Sequence, residues 1–323
     1  MKSTLCIALF LLLTSNVFAG DFLWVSLLRE DGVLVPFKTY DSGNWSSSWP
    51  EIGEVAEPVK IEQLSDTPTD WLGKSEQIPV QWFLTEKNGI KKTINVSLPE
   101  VYKSHCGESW GLRTDYPQEI SRYGHTTKVG IAFSQDMDMI PAVKSQDVDP
   151  NSVLAKFITN RFADMEEVEV QKELREQGVY GDRLAYTGHP IDSNVRNVQN
   201  ITSSNLYKIK DVVGTTSLYY FYVGRSYEKP EGFSDRSCEA VSQYGGFILQ
   251  TGNEKFDVLK DDFFITDCDM QNTIFSVPFG AFKVGNDSFL IRETLYYERE
   301  AYYIDLIRDG KMSVVTELFG GGC

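Results

Sequence analysis

The chain has 323 residues, of which 41% are hydrophobic and 13% aromatic, so it can bury a large core and is not a disordered protein. Aspartate and glutamate number 46 against 31 lysines and arginines, which gives a formal net charge of −15. A surface of this sign repels nucleic-acid phosphates and anionic lipid headgroups. We therefore expect a soluble globular protein that does not bind nucleic acid.

Residues 1–19 carry the pattern of a secretory signal peptide. Lys2 supplies a basic start, an apolar run from Leu5 to Leu13 follows, and Val17 and Ala19 occupy the two positions that a signal peptidase reads. We predict cleavage after Ala19, and hence a secreted or periplasmic protein. The apolar run is shorter than the ~20 residues that a membrane-spanning helix needs, so no membrane insertion of the mature chain is expected.

Strand signals dominate residues 20–145, which we assign to an N-terminal β-rich lobe. The apolar runs Leu23–Arg29 and Val33–Tyr40 flank Asp31-Gly32, a dipeptide that favours tight hairpin turns. Asn88-Gly89 separates two further strand-like runs in the same way. These patterns predict antiparallel strands joined by short turns.

An aromatic group lies just after the first predicted hairpin. Tyr40, Trp45 and Trp49 stand in a stretch rich in serine and glycine. Exposed rings in such a loop can stack on a sugar face or anchor a peptide, so the three residues are candidate ligand-binding residues. The alternative is that these rings fold under the hairpin and cap the core.

Residues 146–205 are predicted to form a helical segment followed by a loop. Apolar residues recur at helical spacing from Val153 to Leu174, after a start signal at residues 149–152 and before a stop signal at Gly178. The charged half of this helix, residues 166–176, is expected to face solvent. His189 lies in the loop and is expected to be a solvated ring.

Residues 206–323 are assigned to a C-terminal β-rich lobe. Gly285-Asn286 and Asp309-Gly310 each lie between two strand-like runs, and both dipeptides suit two-residue hairpin turns. The order along the chain is strand-rich, helical, then strand-rich again. This order indicates an α+β fold, predominantly antiparallel β, in two lobes with a helical middle segment.

Four cysteines remain once the signal peptide is removed: Cys106, Cys238, Cys268 and Cys323. An even number in an exported chain predicts two disulfides. We favour a Cys238–Cys268 bridge because both residues lie in one strand-rich stretch, which leaves Cys106 to pair with Cys323. The alternative is a free thiol at Cys106 or Cys323.

Catalytic signatures are absent from the sequence. There is no Gly-x-Ser-x-Gly motif, no phosphate-binding glycine loop and no Cys-x-x-Cys pair, so we predict no metal site and no cofactor. The leading interpretation is a non-catalytic binding or interaction module for an extracellular or envelope ligand, a glycan or a peptide. The alternative is a secreted glycosidase-like hydrolase with paired carboxylates, for which Asp267 and Asp269 are the candidates. A thiol enzyme centred on Cys106 is a third hypothesis.

Overall fold

Strands dominate the structure, and every pairing between described strands is antiparallel. The predominantly antiparallel β character of the predicted α+β fold is therefore confirmed, and helices are few. The protein is known here from a computed structural model, which describes residues 22–46, 79–103, 108–117, 128–145, 149–176, 184, 187–214, 216–228, 240–266, 275–295 and 299–322.

Six strands near the N-terminus close into a small barrel. Their order around the barrel is β1-β7-β4-β5-β6-β2, and the pairing of β1 with β2 completes the circle. A short strand, β3, adds to β2 outside the ring. The bounds are β1 Phe22–Arg29, β2 Val33–Asp41, β3 Asn44–Ser46, β4 Gln81–Glu86, β5 Lys91–Lys103, β6 Glu108–Thr114 and β7 Lys128–Phe133.

Alternation along the barrel strands sends every second side chain inward. Trp24 and Leu28 of β1 point into the barrel and meet Trp82 of β4, and the two indole rings contact edge to face at 6.4 Å. A six-stranded barrel is narrow, so large side chains fill its interior and leave it a packed core.

Two five-stranded sheets follow the barrel, and we call them the inner and the outer sheet. The inner sheet has the order β17-β16-β15-β14-β8, and the outer sheet has the order β13-β12-β11-β10-β9. The bounds are β8 Met139–Pro141, β9 Val143–Lys144, β10 Thr202–Ile209, β11 Ser217–Tyr227, β12 Ala240–Gln250, β13 Phe256–Thr266, β14 Phe275–Val284, β15 Asp287–Leu295, β16 Arg299–Arg308 and β17 Lys311–Gly322.

Turn chemistry explains where the inner-sheet strands reverse. Asp309 and Gly310 both have positive φ angles, 52° and 68°, between β16 and β17. That pair of values is the type I′ hairpin turn, whose twist matches the twist of the strands it joins. At Gly285, between β14 and β15, φ is 59°.

The layers stack in the order barrel, inner sheet, outer sheet, helix. Phe133 and Phe37 of the barrel share one buried cluster with Phe282 of the inner sheet. The other face of the inner sheet packs on the outer sheet, where Leu290 and Phe247 belong to a common cluster. Both faces of the inner sheet are thus buried, and each sheet supplies one wall of the space between them.

Strands β8 and β9 join parts of the chain that are distant in sequence. Met139–Pro141 pairs with β14 of the inner sheet, and Val143–Lys144 pairs with β10 of the outer sheet. The chain therefore crosses from one sheet to the other over a few residues. Residues 20–145 consequently supply an edge strand to each of the two sheets, as well as the whole barrel.

Helix α1 spans Val153–Arg175, and helix α2 spans Ser193–Asn197. The Ser152 side chain accepts a hydrogen bond from the Ala155 amide at 3.1 Å and so caps α1, which is worth about 1 kcal/mol. Helix α1 packs on the free face of the outer sheet, with Phe162 against Phe263 at 5.4 Å between ring centroids.

Candidate functional site

Two of the three aromatic residues predicted to bind a ligand lie against the hydrophobic core. The rings of Tyr40 and Trp45 contact each other in a tilted arrangement at 5.1 Å, and Trp45 also contacts Phe282 at 6.2 Å and Phe289 at 5.3 Å between ring centroids. Both residues are half-buried. Trp49 lies outside the described residues.

The other predicted site residues also lie outside the described part of the chain. These are the two candidate carboxylates and all four cysteines of the mature chain: Asp267, Asp269, Cys106, Cys238, Cys268 and Cys323. The structure does, however, bring together two polar groupings that were not among the predicted sites.

The first grouping surrounds Glu166, on the face of α1 that packs against the outer sheet. Ile158, Phe162, Glu166 and Val170 are spaced four residues apart and are all buried. A carboxylate on this stripe is removed from water and needs partners of opposite charge.

Strand β11 supplies the main partners of Glu166. Arg225 Nη1 donates to Glu166 Oε2 at 2.8 Å, and the Tyr227 hydroxyl donates to Glu166 Oε1. From α2, Arg196 Nε lies 3.6 Å from Glu166 Oε2. Two guanidinium groups therefore surround one buried carboxylate.

The pKa of Glu166 reflects this competition between burial and its partners. Burial alone would raise it, but the nearby polar side chains of His189, Ser242 and Tyr227 together with the Arg225 charge hold the pKa below its ordinary value. The carboxylate is therefore ionised at neutral pH. Burial and the neighbouring Glu166 carboxylate raise the pKa of Tyr227, which keeps its proton.

Ser242, His189 and Glu166 are the residue types of a hydrolytic triad, but the geometry does not support that role. His189 Nε2 is 2.8 Å from Ser242 Oγ and 3.8 Å from Glu166 Oε1, so serine and acid approach the same ring nitrogen. A working triad places the acid on Nδ1. Here Nδ1 is buried and has no hydrogen-bond partner among the described residues.

Burial gives the same result. Ser242 is 0% exposed, and the side chains of His189 and Glu166 are 0% and 2% exposed, so none of the three can contact a substrate from solvent. The grouping ties α1 to the outer sheet.

Two expectations from the sequence are wrong at this point. His189 was expected to be a solvated loop ring, but the residue is 4% exposed and its ring contacts Tyr227 at 4.7 Å. Residues 166–176 were expected to face solvent, but Glu166 is 1% exposed. Both residues are buried because α1 lies across the outer sheet and residues 187–198 close over the same end of it.

The second grouping lines a cleft of about 190 Å³ between the inner and outer sheets. The outer sheet contributes Tyr220, Gly245, Gly246, Phe247, Lys260 and Asp262, and the inner sheet contributes Ser276, Arg292, Thr294 and Tyr303. Gly245 helps to leave this space, because a methyl group there would lie 3.0 Å from Tyr222 Cδ2 and 3.7 Å from the Tyr220 hydroxyl.

Arg292 is fixed in the inner-sheet wall of the cleft. Its Nε donates to Asp305 Oδ2 at 2.7 Å, and its Nη1 donates to Thr294 Oγ1 at 2.6 Å. The guanidinium also lies 4.1 Å from the centre of the Tyr303 ring, a cation–π distance. These contacts hold a positive charge in a fixed orientation beside the cleft.

Lys260 and Asp262 lie two residues apart on β13 and both line the cleft. Asp262 is exposed at the cleft, and partial desolvation raises its pKa. The neighbouring Asp261 raises it further, while Lys260 and Arg292 act in the opposite direction. Perturbed carboxylates in clefts are more frequent at functional sites than elsewhere. Asp261 itself faces the helix, where Arg161 Nη2 donates to it at 3.0 Å.

A bridge between the two sheets forms the buried end of the cleft. The Tyr220 hydroxyl of the outer sheet accepts a hydrogen bond from the Ser276 amide of the inner sheet at 3.1 Å. Burial raises the pKa of Tyr220, so its hydroxyl remains neutral. The cleft therefore has a neutral polar floor, one guanidinium whose charge is balanced by Asp305, and a lysine and an aspartate in its walls.

Sequence signals for these groupings were present but incomplete. Glu166 interrupts an otherwise apolar stripe at four-residue spacing, which marks it as a buried charge. No comparable pattern marks the cleft, because its residues come from six strands of two sheets. Within the described residues, no group of histidine, cysteine and acidic side chains could hold a metal ion. None of the described helices has the length and apolar character needed to cross a bilayer.

Comparison with known proteins gives no further assignment. No protein-family model, no curated protein and no solved structure matches this chain.

Proposed function

We propose that this chain is an exported, non-catalytic binding protein, and that it holds its ligand in the cleft between the inner and outer sheets. The cleft itself is the observation that carries the proposal. It combines a fixed guanidinium, an ammonium and a carboxylate with aromatic walls in one concave space. Ligand sites are typically concave, with apolar walls and a few placed polar groups.

Size limits what the cleft can accept. A volume of about 190 Å³ is smaller than the ~300–1,000 Å³ of sites that enclose drug-sized molecules. A single monosaccharide or amino-acid unit is of suitable size. A longer glycan or peptide would place one terminal unit in the cleft and leave the rest outside.

The charged residues that line the cleft indicate which chemical groups the bound unit carries. Lys260 attracts a carboxylate, whereas Asp262 accepts hydrogen bonds from hydroxyl or ammonium groups. The Arg292 charge is already balanced by Asp305. Phe247 and Tyr303 add apolar wall area against which the apolar side of a small ring or side chain can pack. Acidic sugars and amino acids combine these features, so they are the compounds we expect to bind.

The test is a binding screen of acidic sugars and amino acids by calorimetry on the mature protein. We expect a hit whose affinity falls about tenfold or more in Lys260→Met and in Asp262→Asn, because each removes one charged contact worth about 1.5–3 kcal/mol. Lys283→Met is the matched control, since Lys283 is an exposed lysine of the inner sheet. Equal affinity in all three variants and the wild type would place the ligand elsewhere.

The hydrolase reading requires catalysis at Asp267 and Asp269. Its support is the sequence clustering of these carboxylates, and broad glycoside profiling tests it. Turnover that is lost in Asp267→Asn or Asp269→Asn would replace the binding proposal. Turnover that is unaffected by both changes removes these residues from consideration.

Export, disulfides and the two-lobe organisation belong to the same proposal. The signal pattern in residues 1–19 supports export to the periplasm or the medium. Val241 and Thr266 are directly paired in β12 and β13. Cys238 precedes Val241 by three positions in the sequence, and Cys268 follows Thr266 by two. This short separation supports a bridge between them. We further propose the barrel and the two-sheet sandwich as the two lobes.

A further inference from the structure

Two hydroxyl groups lie at the buried end of the cleft between the inner and outer sheets. Ser276 is on β14 and Thr294 is on the neighbouring strand β15, where the two residues are directly paired. Both line the cleft. Their side-chain oxygens are 3.0 Å apart, a hydrogen-bonding distance at which either hydroxyl can be the donor.

Arg292 contributes a donor to this pair and no acceptor. Its Nη1 donates to Thr294 Oγ1 at 2.6 Å and to Ser276 Oγ at 3.4 Å. Because a guanidinium can only donate, neither hydroxyl can direct its proton to Arg292. The two hydroxyls therefore carry two protons, and the contact between them uses one.

Burial indicates which hydroxyl keeps the second proton. Thr294 is 1% exposed, whereas Ser276 is 9% exposed. A buried hydroxyl proton needs an acceptor, and the acceptor that the described part of the chain offers to Thr294 is Ser276 Oγ. Thr294 therefore donates to Ser276, and the Ser276 proton is directed into the cleft that this residue lines.

The charge balance around Ser276 decides which kind of acceptor suits it. The Arg292 guanidinium is paired with Asp305, at 2.7 Å between Nε and Oδ2, so its charge is already balanced. A ligand carboxylate placed beside Ser276 would lose its hydration without gaining a counter-charge from this pair, which is costly. An uncharged hydroxyl, ether or amide oxygen can accept the Ser276 proton without that cost.

Charged groups of a ligand are better placed at the other end of the cleft. Asp262 is exposed and Lys260 is partly exposed, and both lie on β13, at the edge of the outer sheet as described. A carboxylate that pairs with Lys260 there stays partly hydrated, so the pairing avoids the desolvation cost of the buried end.

We propose that Ser276 is the specificity-determining donor of the cleft, a role that rests on the proposed binding function, and that the bound unit inserts an uncharged acceptor oxygen beside it. The charged groups of the ligand remain at Lys260 and Asp262. Among acidic sugars and amino acids, this arrangement selects uronic acids and amino acids with a hydroxyl or amide group. An apolar amino acid would displace water from Ser276 without replacing its hydrogen bond.

The test compares pairs of ligands that differ in this oxygen. The probes are glutamine with norleucine, and glucuronate with cyclohexanecarboxylate, each titrated into the mature protein and followed by NMR. We expect Ser276→Ala to weaken the binding of glutamine and glucuronate about three- to tenfold, the effect of one hydrogen bond between uncharged groups. Norleucine and cyclohexanecarboxylate should bind the wild type more weakly, and Ser276→Ala should change their affinities by less than about twofold.

Ser288→Ala is the matched control, because it removes another buried serine hydroxyl of the inner sheet. The Ser288 proton is already accepted by the Val212 carbonyl at 2.6 Å, so this change should leave all four affinities unaltered. Circular dichroism checks that each variant is folded. The comparison of the two members of each pair in the wild type needs no variant and tests the same preference.

The outcomes separate the role of Ser276 from the binding function of the cleft. Equal affinity of the wild type for both members of each pair would overturn the role of Ser276, and so would an equal effect of Ser276→Ala on both members. In either case, weaker binding in Lys260→Met would leave the binding function in place. Binding that Lys260→Met does not affect, or no binding of any of the four compounds, would overturn both.

Discussion

The buried carboxylate of Glu166 offers the strictest test of the packing between α1 and the outer sheet. We consider the change Glu166→Gln, which preserves the shape of the side chain and removes its charge. Glu166 is 1% exposed and accepts from Arg225 Nη1 at 2.8 Å. In the variant, Arg225 loses its charged acceptor while remaining 5% exposed.

The magnitude follows from the number of buried partners that lose their counter-charge. Removing one member of a buried ion pair typically costs about 3–5 kcal/mol, because the remaining charge stays desolvated. Arg196 keeps its contact with Glu167, which limits the loss. We therefore expect the free energy of unfolding at neutral pH to fall by about 3–4 kcal/mol.

The control is Glu169→Gln on the same helix. Glu169 pairs with Lys172 at 2.9 Å near the helix surface, and such pairs contribute only ~0.3–0.5 kcal/mol. Urea denaturation followed by tryptophan fluorescence and by far-UV circular dichroism measures both variants. Agreement of the two probes checks that a single free energy of unfolding is meaningful.

The effect of pH has a definite sign. Because the folded-state pKa of Glu166 lies below its ordinary value of 4.5, the stabilisation is fully present above that value and is lost as the pH falls through the folded-state pKa. The difference between wild type and Glu166→Gln should therefore shrink in acid. A penalty under about 1 kcal/mol at neutral pH, the size of an average substitution, would refute the reasoning. So would a penalty that does not change with pH.

Three further predictions concern the cleft, the disulfides and export. In an NMR titration, the pKa of the Asp262 carboxyl should lie above its ordinary value of 3.8. Lys260→Met should raise this pKa further because a nearby positive charge is removed. A pKa at or below 3.8 contradicts the desolvation argument. Non-reducing peptide mapping of exported protein should recover Cys238 and Cys268 in one linked fragment, and separate fragments would reject the pairing. Intact mass of the same material should correspond to cleavage after Ala19, and retention of residues 1–19 would remove the argument for export.

Helix α1 shows how much of the structure can be predicted from the spacing of apolar residues. Residues at helical spacing and the start signal before Val153 placed α1 correctly, since backbone capping and amphipathic spacing are local properties. The solvent exposure of individual positions, however, could not be predicted from neighbouring residues in the sequence. Val168 was among the apolar positions and is 57% exposed, whereas Glu166 is buried. Which side of a helix is covered depends on the sheet against which it packs.

His189 and the cleft illustrate the same limit for polar sites. A lone histidine beside a proline looks like a loop residue, and only the approach of Ser242 and Tyr227 from two strands buries it. Arg292 and Asp262 are thirty residues apart in sequence and come from different sheets. No local pattern relates them, because their proximity results from the way the two sheets stack.

The sequence by itself determined the secondary structure class, the main helix and the turn positions, because strand alternation, helix capping and positive-φ turns depend on neighbouring residues alone. Tertiary structure decided that the first strands close into a barrel, that the inner sheet is covered on both faces, and that Arg196 is buried. Those features depend on contacts between residues far apart in the chain. Burial of an apolar or charged group is decided by its neighbours in space.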